Sequence, residues 1–322
     1  MLENRLEYLD EAKGFAILLI ILGHIYPGDN YIKIWLYSFH VPLFFIITGV
    51  LTKHTEKCIS LKQYIKRKFK RLIIPYITFE LVGIFIWMLL NEFSFESFRW
   101  HVFDSIQMYC VVGALWFLPT LFVAEVIFFL ARKYFKNNKT IIIINTLLFV
   151  LSVVFKTENH YLIVVLRCFV ALGFITTGYY IYNNVVKVEL KWTHMFSLFI
   201  VNTILALING YVDLWGLDLG NILLYTSSGI IGSMTIIFLF KKINIRYLEY
   251  LGKNSIIIMA THQLILTYIV NTISGSERYG YIIGLIVAFI IILIEMPIIY
   301  LINNYLPWML GKFKKREKLE VA

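Results

Sequence analysis

The sequence predicts an all-α, polytopic membrane protein of about ten transmembrane helices, with both termini cytoplasmic. Three observations carry this. First, residues of the set AVILMFWYC make up 59% of the 322 and only 16% are charged, whereas a soluble globular chain has about 25% charged residues. Second, the apolar residues gather into runs near 11–27, 34–52, 72–91, 113–131, 140–155, 161–183, 192–209, 221–240, 254–272 and 280–306. Most approach the ~20 residues that cross ~30 Å of hydrocarbon. Third, the basic residues alternate between the connecting segments. With the N-terminus inside, only Lys33, Arg99, Lys156 and Arg278 fall outside and Arg167 lies within a run; the remaining Lys and Arg fall inside, the asymmetry of positive-inside insertion. Adding or dropping one run scrambles it. The same spread explains the +10 charge without nucleic acid, because no polar domain collects the basic residues. Disordered, collagen-like, coiled-coil and disulfide-scaffold classes are excluded by the composition.

Taken in order, the first run follows Asp10, Glu11 and Lys13, lacks a small-residue cleavage site, and reads as a retained span. At ~100° per residue Asp10, Lys13 and His24 share one stripe of a helix, with ~16 Å of rise between Lys13 and His24. Gly14 and Gly23 allow close packing beside it. Either Asp10 and Lys13 are interfacial anchors and His24 a packing histidine, or the stripe runs from the inner face to the outer half. In the second run, SFHVPLFFIITG, Pro42 can kink the span and His40 lies at a depth comparable to His24, so the two imidazoles can share an outer-facing cavity. A helix-end hydrogen bond is the other reading of His40. The two histidines could also form a metal pair, but the spans offer no His-x3-His and no carboxylate beside a histidine, so no metal is predicted.

The 53–71 loop is the largest inner polar element, and five basic residues lie between Lys66 and Arg71, ahead of Pro75. Such a cluster serves topology and anionic lipid, or a phosphate-rich ligand approached from inside. The third run carries Glu80, and the 92–112 segment after it is the largest outer loop. The fourth, opening GALWFLPTLF, carries Trp116 at an interfacial position and Glu125 deeper. Arg167 in the sixth is the only Arg wholly within a run, and a buried cation predicts a partner: Glu80, Glu125 or Glu295. The ninth opens with GKNS and carries His262; the tenth carries Glu295 and Pro297. Each ionisable group in hydrocarbon costs ~3 kcal/mol unless it faces a cavity or a partner. Cys58, Cys110 and Cys168 lack CxxC spacing and read as free thiols, Cys168 buried in a helix. Residues 1–322 read as one membrane domain.

These residues resemble the acyltransferase-3 family of integral membrane acyltransferases, in particular its fucose 4-O-acetylase-like, surface-polysaccharide branch. Lys13-x10-His24, with Leu9-Asp10 before it and Gly14 after Lys13, resembles the family's Arg-x10-His signature. Phe44, Phe45, Thr48, Gly49 and Leu51 resemble its FF-x-x-SG-x-L stretch, and Lys68-x-x-Arg71 followed by Pro75 its Arg-x-x-Arg element. Trp116–Leu118, the Gly252–His262 segment and Glu295-x-Pro297 also fit. Three positions depart from the pattern: Lys13 for Arg, Thr48 for Ser, and Lys68 for the first Arg of the loop pair. Lysine keeps the charge but loses bidentate geometry.

The resemblance implies transfer of acetyl from cytoplasmic acetyl-CoA, as co-substrate, to a hydroxyl of a cell-surface glycan or lipid-linked saccharide, in the inner membrane of a bacterium. His24 would take the hydroxyl proton or carry the acetyl group, with direct attack favoured, and Lys13 and Asp10 would organise the inner end of the same helix. Arg67, Lys68, Arg71 and Trp116 would bind the donor. His40, Thr48, Glu125, Arg167, His262 and Glu295 are acceptor or supporting candidates. Within enzymes, succinyl-CoA or another acyl-CoA is an alternative donor. From other classes, a flippase or transporter of lipid-linked sugars predicts paired broken helices in two halves, which the sequence lacks. A scaffold for a glycan-assembly complex leaves the buried charges without a role.

Overall fold

The computed structural model describes residues 5–26, 30–91, 94–155, 157–271 and 280–313, and within these each of the apolar runs is largely helical. Lys156, Arg278 and the basic residues of 314–318, counted in the charge alternation, lie outside these. Seven helical stretches are long and apolar enough to cross a membrane: Tyr31–His54, Leu61–Leu90, Gly113–Tyr134, His160–Tyr180, Trp192–Asn209, Ile222–Lys242 and Tyr281–Tyr305. Asn138–Val154 and Ser255–Tyr268 are apolar but shorter. The first helix, α1 (Glu7–Ile25), has 19 residues and carries Glu7, Asp10, Glu11 and Lys13 near its start. Among the described residues the only β feature is an isolated bridge between Asp213 and Asp218.

Where the structure differs from a simple run of spans, local chemistry gives the reason. The second run is two helices, α2 (Tyr31–Tyr37) and α3 (His40–His54). Asn30 caps α2 by accepting from the Ile32 and Lys33 N–H groups, and Phe39, with φ −145°, turns the chain into α3. Pro42 therefore sits in the first turn of α3, where a missing N–H breaks no bond, and the bend falls just ahead of it. The basic loop is itself helical. Ser60 and Gln63 form a capping box for α4 (Leu61–Lys68), which continues through a π-helical turn at Phe69–Ile73 into α5 (Ile74–Leu90). The 92–112 segment holds α6 (Phe95–Ile106). A 3-10 turn, Gly113–Trp116, leads into α7 (Phe117–Tyr134). Then come α8 (Asn138–Val154), α9 (His160–Tyr180), α10 (Tyr182–Lys187), α11 (Trp192–Asn209) and α12 (Ile222–Lys242). The amphipathic α13 (Arg246–Lys253), α14 (Ser255–Ile265), a π-helical segment Leu266–Asn271, and α15 (Tyr281–Tyr305) complete the order before a 3-10 turn at Pro307–Leu310.

The centre of the molecule is α1, packed against α3, α12, α13, α14 and α15. Two glycine crossings set its surroundings. A Cβ on Gly14 would strike the Leu248 carbonyl, and one on Gly252 would strike the Asp10 carbonyl, so α1 and α13 touch backbone to backbone beside Lys13. Likewise Gly49 of α3 abuts the Ile175 carbonyl of α9, and Gly178 abuts Ile46. Small residues permit this close approach where helices gain little hydrophobic drive toward one another.

Candidate active site

The charged groups of α1 gather at one end of the molecule. Asp10 is 4% exposed and holds two cations: Lys13 Nζ lies 2.5 Å from Oδ1 and Arg5 Nε 2.5 Å from Oδ2. These residues line a cavity of about 960 Å³ together with Thr48, Arg67, Lys68, Arg71, Glu125, Arg132 and Lys133. Lys68 pairs with the buried carboxylate of Glu125, and Arg132 with Glu56. Arg67, Arg71 and Lys133 pair with no carboxylate among the described residues. The cavity thus presents uncompensated positive charge, which a run of phosphates satisfies. Thr48 Oγ1 donates to the Phe44 carbonyl at 2.9 Å and faces the same cavity.

Toward the opposite end of α1 a second cavity, of about 280 Å³, contains the imidazole of His24. Its wall includes His40, Tyr37, Trp116 and Gln263, and a loop bearing Tyr211, Asp213 and Trp215. That loop is closed by the Asp213–Asp218 bridge, with N···O distances of 2.7 and 2.9 Å. The Asp213 carboxylate accepts from the N–H groups of Trp215 at 3.0 Å and Gly216 at 3.2 Å. Burial, followed by the charge of Asp213, raises the Tyr211 hydroxyl pKa above its usual value, so it remains a neutral donor. His40 donates from Nδ1 to the Leu36 carbonyl at 2.7 Å. It makes the helix-end bond and also shares the cavity with His24.

Phe44, Phe117 and Met259 border both cavities. Phe117 stacks on Phe45 at 5.0 Å and meets Phe44 edge-on at 5.7 Å. Three apolar side chains therefore stand between the cationic cavity and the His24 cavity.

Several expected positions are placed differently. Trp116, expected with the donor-binding cations, lines the His24 cavity. Arg167 forms no pair with Glu80, Glu125 or Glu295, which corrects that expectation. It is fully buried, its guanidinium lies 4.6 Å from the Trp116 ring, and it donates to the Trp215 carbonyl at 3.0 Å and toward Met108 Sδ at 3.8 Å. The three carboxylates have other partners. Glu80 accepts from Ser105 Oγ at 2.9 Å and from the Val111 and Val112 N–H groups at 2.5 and 3.3 Å. Glu125 holds Lys68, and Glu295 accepts from Thr261 Oγ1 at 2.7 and 2.8 Å. His262 is fully buried. Its Nδ1 donates to the Ile258 carbonyl at 2.7 Å, and its ring centre is 5.2 Å from that of His24. Among the described residues no group of three or more His, Cys, Asp or Glu side chains is placed to hold a metal.

Sequence reasoning passed over Gln263, whose amide nitrogen lies 3.1 Å from His24 Nδ1 and 3.4 Å from Nε2. It also passed over the 210–220 loop, whose sequence carries no signal of its part in a cavity.

The family model described as an acyltransferase domain matches residues 6–301. The chain belongs to the acyltransferase-3 family. As a membrane acyltransferase it is multi-pass and all-helical, and the match runs from the start of α1 nearly to the end of α15, so every residue lining the two cavities except Arg5 lies inside the family domain. No curated protein and no solved structure matches the chain.

Proposed function

We propose that this acyltransferase moves acetyl from cytoplasmic acetyl-CoA to a hydroxyl of a cell-surface glycan or lipid-linked saccharide, as part of the fucose 4-O-acetylase-like branch in a bacterial inner membrane. The observation that carries this reading is the shared wall. A cavity rich in free cations meets a cavity holding an imidazole, across Phe44, Phe117 and Met259. The donor's phosphates suit Arg67, Arg71 and Lys133. Its pantetheine arm suits the apolar passage, and the ~16 Å between Lys13 and His24 matches a tether of that kind. His24 acts as general base toward the acceptor hydroxyl. Tyr37, Tyr211 and Trp215 offer aromatic faces and Asp213 a carboxylate, a mixed apolar and polar lining suited to a sugar ring.

Lys13, held by Asp10, keeps the inner end of α1 positively charged beside Arg71. Lys68 is engaged with Glu125, so the phosphates fall mainly to the two arginines.

The test is transfer of radiolabelled acetyl from acetyl-CoA to isolated surface polysaccharide by the purified protein, with O-acetyl groups read by NMR. His24→Ala should abolish transfer while leaving the thermal unfolding of the protein in detergent unchanged. Transfer by His24→Ala at the native rate would sink the assignment.

A further inference from the structure

The amide of Gln263 has a fixed orientation. Its Oε1 accepts from the backbone N–H of Ala114 at 2.6 Å. A backbone N–H can only donate, so the amide oxygen faces Ala114 and the NH2 group faces His24. The near-equal distances to the two imidazole nitrogens put this NH2 off both lone-pair directions, toward the ring face. Neither ring nitrogen is therefore consumed in its own plane. The amide borders the His24 cavity one helical turn from Met259, a residue which that cavity shares with the cationic one. The 3-10 turn is shaped around it: a Cβ on Gly113 would come within 3.1 Å of Oε1 and 3.3 Å of Nε2.

A rigid donor that stands beside the base and borders its cavity is what acyl transfer requires of an oxyanion site. We propose that Gln263 Nε2 is the oxyanion donor of this enzyme. The inference rests on the acyl-transfer reading above and adds a catalytic residue to it. The acceptor's hydroxyl oxygen bonds to the thioester carbonyl carbon as its proton passes to His24. The π pair of the carbonyl moves onto its oxygen, which accepts from the Gln263 N–H. On collapse the C=O bond re-forms, the C–S bond breaks, and sulfur departs with the proton that His24 held. The Ala114 N–H bound to Oε1 polarises the amide and strengthens its N–H as a donor.

Gln263→Met keeps the length and removes both donors. It should lower kcat by about 10²–10³-fold, as loss of one oxyanion donor does elsewhere, with the KM for acetyl-CoA changed less than about threefold. Gly113→Ala, which pushes the amide without removing it, should give a smaller fall. A spectroscopic readout separates charge stabilisation from mere positioning of His24. The infrared carbonyl stretch of 13C-labelled acetyl-CoA bound to His24→Ala should move to lower frequency relative to free acetyl-CoA, and that shift should vanish in His24→Ala/Gln263→Met. A Gln263→Met kcat within threefold of native, or the same carbonyl frequency in both backgrounds, overturns the assignment. If His24→Ala is inactive and Gln263→Met active, only the oxyanion assignment falls. If both are active, the proposed function falls with it.

Discussion

Arg167 shows how one buried side chain organises the cavity from behind. Its charge is met by the face of Trp116 and the carbonyl of Trp215, so it fastens the 210–220 loop to the 3-10 turn that carries Trp116. A desolvated cation–π contact contributes about 2 kcal/mol, and lysine cannot reproduce a planar stack and a directed bond together. Arg167→Lys should therefore raise the KM for the acceptor while leaving that for acetyl-CoA unchanged, and should lower the unfolding temperature in detergent. Unchanged acceptor kinetics would show that the loop is held by other contacts. Arg71 gives the opposite pattern. It is exposed, lines the cationic cavity and has no carboxylate partner among the described residues. Hydrogen bonds to charged groups are worth about 1.5–3 kcal/mol, so Arg71→Ala should raise the KM for acetyl-CoA roughly tenfold or more and barely alter that for the acceptor. Equal effects on both would make the cluster a lipid anchor.

Among the elements, the pairing of α1 with α13 determines where Lys13 stands. Gly14 and Gly252 meet carbonyls directly, so a methyl at either site forces the helices apart. Overpacking of this kind costs about 1–3 kcal/mol. Gly14→Ala should lower the detergent unfolding temperature and weaken donor binding through displaced Lys13 and Asp10, which steady-state kinetics with acetyl-CoA would register. The stripe on α1 was legible in the sequence because it lies on one helix, where period alone aligns Asp10, Lys13 and His24. Pro42 marked a kink in the second run but not its place: the break falls at Ser38–Phe39, ahead of the proline, where no helix-breaking residue marks it. Gln263 was hidden for a related reason: it carries no charge, and the N–H that orients it belongs to a residue 149 positions away. Arg167 misled because charges in a sequence suggest only other charges as partners, whereas an aromatic face and a carbonyl oxygen leave no comparable mark.

For the molecule as a whole, the cationic cavity collects the start of α1, the end of α3, α4 and the end of α7, so these termini share one end of the bundle. The proposed function requires that end to face the cytoplasm, where acyl-CoA is made. Two thiols report the orientation. Cys58 is exposed and lines the cationic cavity. Cys110 is half-buried, three residues before Gly113, and burial, followed by the Glu80 charge, pushes its thiol up from 9.0 to about 12. The thiolate is the reacting form, and a pKa three units higher leaves about 10³-fold less of it at neutral pH. A membrane-impermeant maleimide at pH 7.5 should therefore label Cys58 in inside-out vesicles and leave it unlabelled in intact cells. Cys110 should stay unreactive from either side, gaining reactivity only as the pH climbs toward 12. Labelling of Cys58 from outside intact cells would turn the arginines of the cationic cavity away from the only compartment that supplies acyl-CoA. Transfer from cytoplasmic acetyl-CoA through the wall of Phe44, Phe117 and Met259 would then be impossible in that direction.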